Sequence, residues 1–315
     1  MRILAFLGLF ALFACNAEER TPQTFVEEDQ HTAAPLSLPA YLDCLRTEGR
    51  MHLAAHRAGP GPGRPENTLA AMQHSYDKTG AFLEVDIATS EDGVLFLHHD
   101  DRLERTTTGR GIAAQTPWST LRTLSTKDPS GGVTAHGLVK LTDALAWAEG
   151  KTVLELDIKR STDYDDVARV VKDADAEERI ILIAYSLNAA AAMSQRLPNS
   201  VISVPVSSVQ ELDEVHTAGI RPDRTLIWLG TEEPQFALDA ALADRGIETV
   251  FGTLGGSQSL DRQWAASGSD HKYAELAEGG IELLATDRPE AAFEILTSAG
   301  LAGTSHPCRY SVSGP

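Results

Sequence analysis

The sequence predicts an α/β fold, and specifically a (β/α)8 TIM barrel with an insertion after the second strand. Short β-branched or apolar runs alternate with longer amphipathic stretches along most of the chain, a pattern typical of parallel strands joined by helices. Eight such repeats in roughly 260 residues fit the usual size of this barrel. A doubly wound open sheet is the alternative that the same alternation allows.

The eight predicted strands cover residues 51–55, 82–88, 152–158, 180–184, 201–204, 225–229, 247–251 and 281–286. The predicted helices cover residues 68–78, 142–148, 163–174, 187–195, 209–218, 234–245, 265–278 and 289–299. The stretch 100–140 is too long for an ordinary connection, which indicates an insertion over the mouth of the barrel. It follows a segment, 93–98, that is expected to form a hairpin with the second strand.

Two of the predicted strands carry acidic residues on one face. Glu84 and Asp86 alternate with apolar residues in the second strand, and Glu155, Asp157 and Lys159 do so in the third. Residues two apart in a strand point to the same side, and buried like charges are costly unless a cation compensates them. The pattern therefore predicts a metal site built from both strands.

Composition and charge narrow the class of protein. The chain has 315 residues, of which 42% are hydrophobic and 23% charged, with a net charge of −18. The hydrophobic fraction suits a folded globular domain. The acidic balance disfavours long-range attraction to nucleic acid or to an anionic membrane surface.

The N-terminus has the features of an export signal. Met1 and Arg2 precede an apolar run over residues 3–14, which is too short to span a bilayer permanently. A cleaved signal peptide and a buried first helix are alternatives. The sequence Leu-Phe-Ala-Cys that ends at Cys15 resembles the lipobox of bacterial lipoproteins, which implies lipidation of Cys15 and attachment to the periplasmic or extracellular face of a bacterial membrane.

Three parts of the chain follow from this pattern: a lipoprotein signal over 1–15, a flexible tether over 16–45 and the barrel domain over 46–315. Export would place the other two cysteines, Cys44 and Cys308, in an oxidising compartment. We expect them to form a disulfide bond that joins the two ends of the domain. Two unrelated thiols are the alternative.

Several motifs fall at the predicted carboxyl ends of strands, where barrel enzymes carry their catalytic residues. In chain order they are His56-Arg57-Ala58, Pro65–Thr68, Glu84-x-Asp86, His99-Asp100, Arg105–Gly109, Asp157-x-Lys159 and Thr286–Pro289. Their types and order resemble the glycerophosphodiester phosphodiesterase family, in the phospholipase-C-like group of barrels. The resemblance spans residues 51 to 299.

The resemblance implies a role for each matching residue. It implies that Glu84, Asp86 and Asp157 hold a divalent metal, that His56 and His99 are the acid and the base, that Arg57 and Lys159 contact phosphate, and that Glu66 orients His56 or Arg57. In members of this family that cleave glycerol diesters, a neighbouring hydroxyl of the substrate is thought to attack phosphorus. The sequence does not assign the two histidines to individual steps.

The residue types suit this chemistry independently of the family. Hard carboxylate oxygens favour Ca²⁺ or Mg²⁺ over zinc. Two imidazoles can divide the acid and base roles because their pKa lies near the working pH. A guanidinium and an ammonium group can bind phosphoryl oxygens.

Two positions depart from the family pattern. Ala58 stands where the family usually has glycine, and Gly59 follows it; glycine would give freer backbone at this turn. Asp157 stands where many members have glutamate, and Glu155 on the same face is an alternative ligand.

Other residues of these motifs have a simpler structural interpretation. Strand alternation points one of His98 and His99 inward, and the adjacent Asp100 favours His99 as the one at the site. Arg105 and the threonines after it are expected to shape a loop, and Thr286-Asp287 to cap a helix. Trp228 is either a pocket residue or a core residue.

Three functions compete. The first is metal-dependent hydrolysis of glycerophosphodiesters to glycerol phosphate and an alcohol. The second is a phospholipase-D-like reaction on lysolipid or sphingolipid, which an apolar exposed insertion would favour; the insertion here is polar. The third is a lipid-anchored binding protein without turnover, which loss of a histidine or an acid would favour, and none is missing.

Overall fold

The computed structural model describes residues 36–305 and 307–310. Its strands are β1 (His52–Ala55), β2 (Phe82–Thr89), β3 (Leu95–Leu97), β4 (Ser125–Lys127), β5 (Val133–Gly137), β6 (Leu154–Ile158), β7 (Ile180–Ile183), β8 (Val201–Pro205), β9 (Thr225–Trp228), β10 (Glu248–Gly252) and β11 (Leu283–Thr286). The helices are α1 (Leu38–Glu48), α2 (Leu69–Thr79), α3 (Trp118–Leu121), α4 (Leu141–Ala148), α5 (Tyr164–Asp173), α6 (Leu187–Arg196), α7 (Val209–Thr217), α8 (Phe236–Ala243), α9 (Leu260–Ser267), α10 (Lys272–Glu278) and α11 (Pro289–Ser298).

The main sheet closes on itself. Its strands follow the order β1, β11, β10, β9, β8, β7, β6, β2, and a further pairing between β1 and β2 completes the ring. All pairings within this ring are parallel. Each of the eight predicted strands is present, so the (β/α)8 barrel is confirmed and the open-sheet alternative is excluded.

One predicted helix is wrong. The stretch 265–278 holds two helices, because α9 ends at Gly268, which has a left-handed φ of 68°, and α10 starts only at Lys272. Glycine adopts this conformation without a Cβ clash, which makes it a common helix terminator.

The N-terminal end of the barrel is filled by α1. Its apolar face, Leu38, Tyr41, Leu42 and Leu45, joins one buried cluster with inward-facing strand residues such as Phe82 and Val250. The expected tether over 16–45 therefore extends too far, since residues 38–45 are helical and packed against the barrel. The helix forms because its apolar residues recur at a period of three to four, which places them on one face.

A disulfide bond joins α1 to the C-terminal segment. It links Cys44 and Cys308, whose Cα atoms lie 5.7 Å apart, the pair that the sequence analysis expected. The bond therefore attaches the helix that fills the barrel to the last described residues of the chain.

The insertion after the second strand has its own small core. Strand β3 pairs antiparallel with β2, as the predicted hairpin requires, and β4 and β5 form a separate two-stranded sheet. Phe96, Leu103 and Leu121 are buried together between these parts. The insertion is thereby fixed to the strand that carries Glu84 and Asp86.

The lipoprotein signal over 1–15, Cys15 included, and most of the tether lie outside the described residues. Within the described part of the chain, no helix has both the length and the apolar character needed to cross a bilayer.

Candidate active site

The acidic residues of β2 and β6 converge inside the barrel. Glu84 pairs in register with Glu155, and Asp86 with Asp157. One carboxylate oxygen from each of Glu84, Asp86 and Asp157 lies within 4.8 Å of the other two. All three side chains are buried. The two strands therefore bring together the three residues that the resemblance implies as metal ligands.

Lys159 lies against two of these carboxylates. Its Nζ atom is 2.5 Å from Asp86 Oδ1 and 2.6 Å from Asp157 Oδ2. Burial opposes the charged form of Lys159, but the two carboxylates outweigh it and raise the pKa of the ammonium group. Burial would likewise raise the pKa of Asp86, and the nearby Lys159 lowers it instead.

Glu84 has the opposite shift. Burial, followed by the charges of Asp86 and Asp157, raises the pKa of Glu84 well above its ordinary value, although the backbone N–H of Arg57 donates to Glu84 Oε2 over 2.6 Å. Lys159 and the Arg57 guanidinium, 3.9 Å from Asp86, bring two positive charges to three buried acids, so the cluster holds excess negative potential. A bound cation would remove that excess.

The donor set fits a divalent metal. Asp157 Oδ1 is buried and has no hydrogen-bond partner, an unfavourable state for a carboxylate oxygen unless a cation completes it. Only carboxylate oxygens are offered within the group, which suits a hard ion such as Ca²⁺ or Mg²⁺. Glu155 is buried but falls outside the group, so the geometry favours Asp157 over Glu155 as the third ligand.

Both histidines are paired with carboxylates. His56 Nδ1 lies 2.7 Å from Asp287 Oδ1, and His99 Nδ1 lies 2.7 Å from Asp100 Oδ1. A carboxylate can only accept here, so Nδ1 of each ring carries the hydrogen and Nε2 is left for chemistry. His56 lines the same cavity as Glu84 and Asp157. His99, after Lys159, contributes to the lowering of the pKa of Asp86.

His98 is directed away from the carboxylate cluster. It is buried, its Nε2 lies 3.2 Å from the carbonyl oxygen of Arg102, and its ring stacks on Phe96 within the insertion. Burial lowers the pKa of His98, which favours the neutral ring. This placement agrees with the choice of His99 as the histidine at the site.

Asp287 belongs to the candidate site and does not cap α11, contrary to the expectation from the sequence; the N-cap position of that helix is Arg288, and it has no side-chain cap hydrogen bond. Besides pairing with His56, its Oδ2 accepts from the backbone N–H of Gly255 over 3.0 Å. Its own backbone N–H donates to the buried Asp261 over 2.6 Å, which also accepts from Tyr273 and Thr286. Burial alone would raise the pKa of Asp287, but the pairing with His56 lowers it.

The threonines after Arg105 shape a loop as expected, with Thr107 hydrogen-bonded to Leu103 and Gly109, and Arg105 itself has a further role. Its guanidinium group donates two hydrogen bonds to Asp100 and two to Glu66, at 2.6–2.8 Å. Glu66 in turn accepts from Arg57 at 3.2 and 3.3 Å. Glu66 therefore contacts Arg57 rather than His56, and a continuous network connects the His99–Asp100 pair to Arg57.

Two further residues at the site were missed by sequence reasoning. Asn67 donates to Asp86 Oδ2 over 2.6 Å and accepts from the Asp86 backbone N–H over 3.0 Å. Tyr185 donates to Asp157 Oδ2 over 2.9 Å. Asn67 lies inside the Pro65–Thr68 motif, which is the only signal that could have found it; Tyr185 has no motif around it.

Two cavities adjoin the cluster and share Asp157 and Tyr185. The smaller one, of about 380 Å³, extends into the barrel and is lined by Trp228 and Leu254. A more open groove of about 730 Å³ runs along the other side of Tyr185 and includes Lys159. The sequence left Trp228 as either a pocket residue or a core residue, and the structure places it in the wall of the smaller cavity.

Known proteins with similar sequences belong to one family. A protein-family model described as "Glycerophosphoryl diester phosphodiesterase family" matches residues 56–216 of this chain. The uncharacterised protein YqiK of Bacillus subtilis is 29% identical over 164 residues, which cover 49% of this chain and 66% of that protein, slightly less than two thirds of its length. A glycerophosphodiester phosphodiesterase of Bacillus altitudinis is 23% identical over 76% of this chain and 96% of its own length.

Solved structures agree. A crystal structure of a glycerophosphoryl diester phosphodiesterase from Parabacteroides distasonis superposes with a TM-score of 0.74 and 26% sequence identity, covering 82% of this chain and 92% of that one. The barrel and the segment that carries the whole acidic cluster and both histidines thus match proteins of a single family.

Proposed function

The chain belongs to the glycerophosphoryl diester phosphodiesterase family, and we propose that it hydrolyses glycerophosphodiesters to glycerol phosphate and an alcohol in a metal-dependent reaction. The observation that carries the proposal is the convergence of Glu84, Asp86 and Asp157 within 4.8 Å, beside two carboxylate-paired histidines. Each component of a phosphodiester-cleaving site has a residue in place.

We assign the bound phosphate to Arg57 and Lys159. Arg57 is held by Glu66, and its Nε lies 3.9 Å from Asp86 Oδ2 without a hydrogen-bond partner, so it retains a donor for a phosphoryl oxygen. Lys159 brings a positive charge to the same carboxylates. The local charges can thus bind an anionic diester in a protein of net charge −18.

Proton transfer falls to His56 and His99. Since Nδ1 is hydrogen-bonded to Asp287 or Asp100, Nε2 is the nitrogen of each ring left for proton transfer; we assign one ring to remove the proton from the attacking oxygen and the other to protonate the leaving alkoxide. A divalent ion held by Glu84, Asp86 and Asp157 would supply neutralisation of the phosphoryl charge. The three carboxylates would hold that ion, and the hydrogen bonds from Asn67 and Tyr185 orient two of them.

The phospholipase-D-like alternative gains no support from the insertion. Its large apolar side chains are mostly buried; of those described there, Ile112 and Val133 are the exposed ones. Two separated apolar residues do not form the continuous patch that lipid binding would need.

The test uses the 315-residue chain and a panel of glycerophosphodiesters, with glycerol phosphate release as the measurement. We expect turnover that a chelator abolishes and that added Ca²⁺ or Mg²⁺ restores. His99→Ala should lower kcat by about 10²-fold or more, the usual contribution of a general acid or base. The neighbouring variant His98→Ala is the matched control and should keep its activity, whereas Asp86→Asn should lower both metal affinity and rate.

Three results would refute this proposal: no turnover on any diester, turnover that ignores the chelator, or loss of activity in His98→Ala with retention in His99→Ala. The last would also show that the assignment of the two adjacent histidines is reversed.

We further propose that Cys15 carries a lipid that anchors the exported protein to a bacterial membrane. Support comes from the lipobox-like sequence ending at Cys15 and from the Cys44–Cys308 disulfide, a bond typical of oxidising compartments. Labelled fatty acid should be incorporated into the wild-type chain and not into Cys15→Ser; equal labelling of both would refute the anchor.

A further inference from the structure

The smaller cavity beside the acidic cluster contains a carboxyl group that the proposed reaction does not use. Glu155 lines this cavity and is only 4% exposed. Its Oε1 atom is buried with no hydrogen-bond partner, and no side-chain hydrogen bond or ion pair of Glu155 occurs within residues 36–305 and 307–310. A buried polar group without a partner is unfavourable, and a ligand that hydrogen-bonds to it would remove the penalty.

Glu155 lies at the level of Glu84 and below Asp157 in the barrel. It pairs in register with Glu84 and precedes Asp157 by two residues on the same face of β6, which places it one layer further from the mouth than Asp157, roughly 6–7 Å along the strand. It is not part of the 4.8 Å carboxylate group. A ligand whose phosphate is held at Arg57 and Lys159 therefore reaches Glu155 by extending inward past the level of Asp157.

The rest of the cavity is mostly apolar. Apart from the histidine, tyrosine and acids of the candidate site, its walls include Ile183, Pro205, Trp228 and Leu254, and Ser203 is the further polar side chain beside Glu155. Ser203 is buried as well, at 4% exposed. A cavity with apolar walls and few polar groups orients a ligand through those groups.

We propose that Glu155, together with Ser203, is a specificity residue that binds a hydroxyl group on the half of the diester that enters this cavity. The inference rests on the proposed function, since it takes the phosphate position from that site. A glycerol unit esterified to phosphorus carries hydroxyls three and four bonds from the ester oxygen and can direct one to the Glu155 carboxyl. A diester whose inner half lacks hydroxyls would leave that carboxyl unpaired.

Binding of two small phosphates to the full chain tests the inference without turnover. sn-Glycerol 3-phosphate and ethyl phosphate share the phosphate, and only the first carries hydroxyls. Calorimetry with wild-type protein should show glycerol phosphate binding at least about tenfold more tightly, the usual effect of one good hydrogen bond to a carboxyl group. Glu155→Leu should abolish the preference, and Ser203→Ala should reduce it.

The isosteric variant Glu155→Gln keeps the test valid if Glu155→Leu does not fold. The amide can still hydrogen-bond, so a reduced preference is expected. Glu282→Gln, a change to another buried carboxyl in a different part of the barrel, is the matched control and should keep the full preference. Mn²⁺ affinity should be the same in wild type and Glu155→Gln, because Glu155 is outside the ligand group.

The inference fails if the wild-type protein binds both phosphates equally, if the Glu155 and Ser203 variants keep the wild-type preference, or if Glu155→Gln loses Mn²⁺ affinity, which would make Glu155 a metal ligand. Failure of the proposed function shows differently, as a wild-type chain that releases no glycerol phosphate from any diester.

Discussion

The turn after β1 explains how single residues position the site. Arg57, Ala58 and Gly59 all have left-handed φ angles, of 50°, 65° and 71°, and this conformation costs a non-glycine residue about 1–2 kcal/mol. The turn directs the Arg57 backbone N–H at Glu84, while Ser75 donates to the Ala58 carbonyl over 2.8 Å. Gly59 thus does not substitute for a glycine at 58, since both positions require positive φ.

Gly59 and Gly63 provide a matched pair to test this turn. A Cβ at Gly59 would lie 2.2 Å from the Ser75 hydroxyl oxygen, whereas at Gly63, with a similar φ of 70°, nothing lies within 4 Å. Gly59→Ala should therefore lower the free energy of unfolding by about 2–4 kcal/mol, combining strain with overpacking. Gly63→Ala should cost only about 1 kcal/mol, the strain alone.

Urea unfolding of both variants measures the difference. Equal losses would show that contact with Ser75 adds nothing to the backbone strain. Activity should also fall more in Gly59→Ala, because the displaced turn carries His56 and Arg57.

The acidic site residues found from sequence repeat at a strand period, and the two histidines were found through the motifs that resemble the family. Glu84, Asp86 and Asp157 could be predicted because alternation alone puts them on one face. Tyr185 and Asp287 reach the site only after the barrel closes, and no local pattern distinguishes them from a surface tyrosine or a helix cap. Their contacts depend on packing between distant segments, which one sequence does not display.

The same contrast applies to secondary structure. The eight strands carry buried β-branched or apolar runs, so their positions were predictable within a few residues. Helix α1 also has a signal, with apolar residues at 38, 41, 42 and 45 and Gly49 at its end, but its polar neighbourhood resembled the preceding tether. The break between α9 and α10 depends on the left-handed conformation of Gly268, and glycine within a helical pattern does not always end a helix.

Strands β10 and β11 are joined by a buried polar contact. Glu282 accepts from the Thr249 backbone N–H over 2.7 Å, and the Thr249 hydroxyl also reaches the buried Asp239. Burial, and then the neighbouring acids Asp239 and Glu248, raise the pKa of Glu282 to about 8. The carboxyl group is therefore neutral in the folded protein at pH 7.

This shift makes stability depend on pH. Unfolding lets Glu282 lose its proton above its ordinary pKa of 4.5, so the folded state binds more protons between pH 4.5 and 8. The stability that the neutral carboxyl provides is complete below pH 4.5 and is lost as pH rises through 8. Glu282→Gln, which cannot ionise, should remove this dependence.

We expect Glu282→Gln to gain stability relative to wild type as pH rises from 5 to 8, by up to a few kcal/mol. Urea unfolding at several pH values measures it. Glu278→Gln, at an exposed position of α10, is the control and should follow the wild-type curve. Parallel curves for Glu282→Gln and wild type would contradict the assignment.

At the scale of the whole barrel, the candidate active site and the helix that fills the barrel, α1, lie at opposite ends. The carboxyl ends of the strands hold the acidic cluster and both histidines, and the other end is filled by α1. A site with several buried charges is unfavourable for folding, while the apolar cluster under α1 is favourable. The separation lets each end be altered with little effect on the other.

The disulfide between Cys44 and Cys308 tests that separation. It closes a loop with a sequence separation of 264 residues, and a cross-link over so long a loop should contribute about 2–5 kcal/mol by restricting the unfolded chain. The double variant Cys44→Ser/Cys308→Ser should thus melt roughly 5–15 °C lower. Its kcat at low temperature should match the wild type, because among the described residues no hydrogen bond joins α1 to the acidic cluster, His56 or His99. Reducing agent should lower the Tm of the wild type to that of the double variant and leave the Tm of the variant unchanged.

A Tm of the double variant equal to that of the wild type would show that α1 is held by packing alone. Loss of kcat in a folded double variant would show that the two ends of the barrel are coupled.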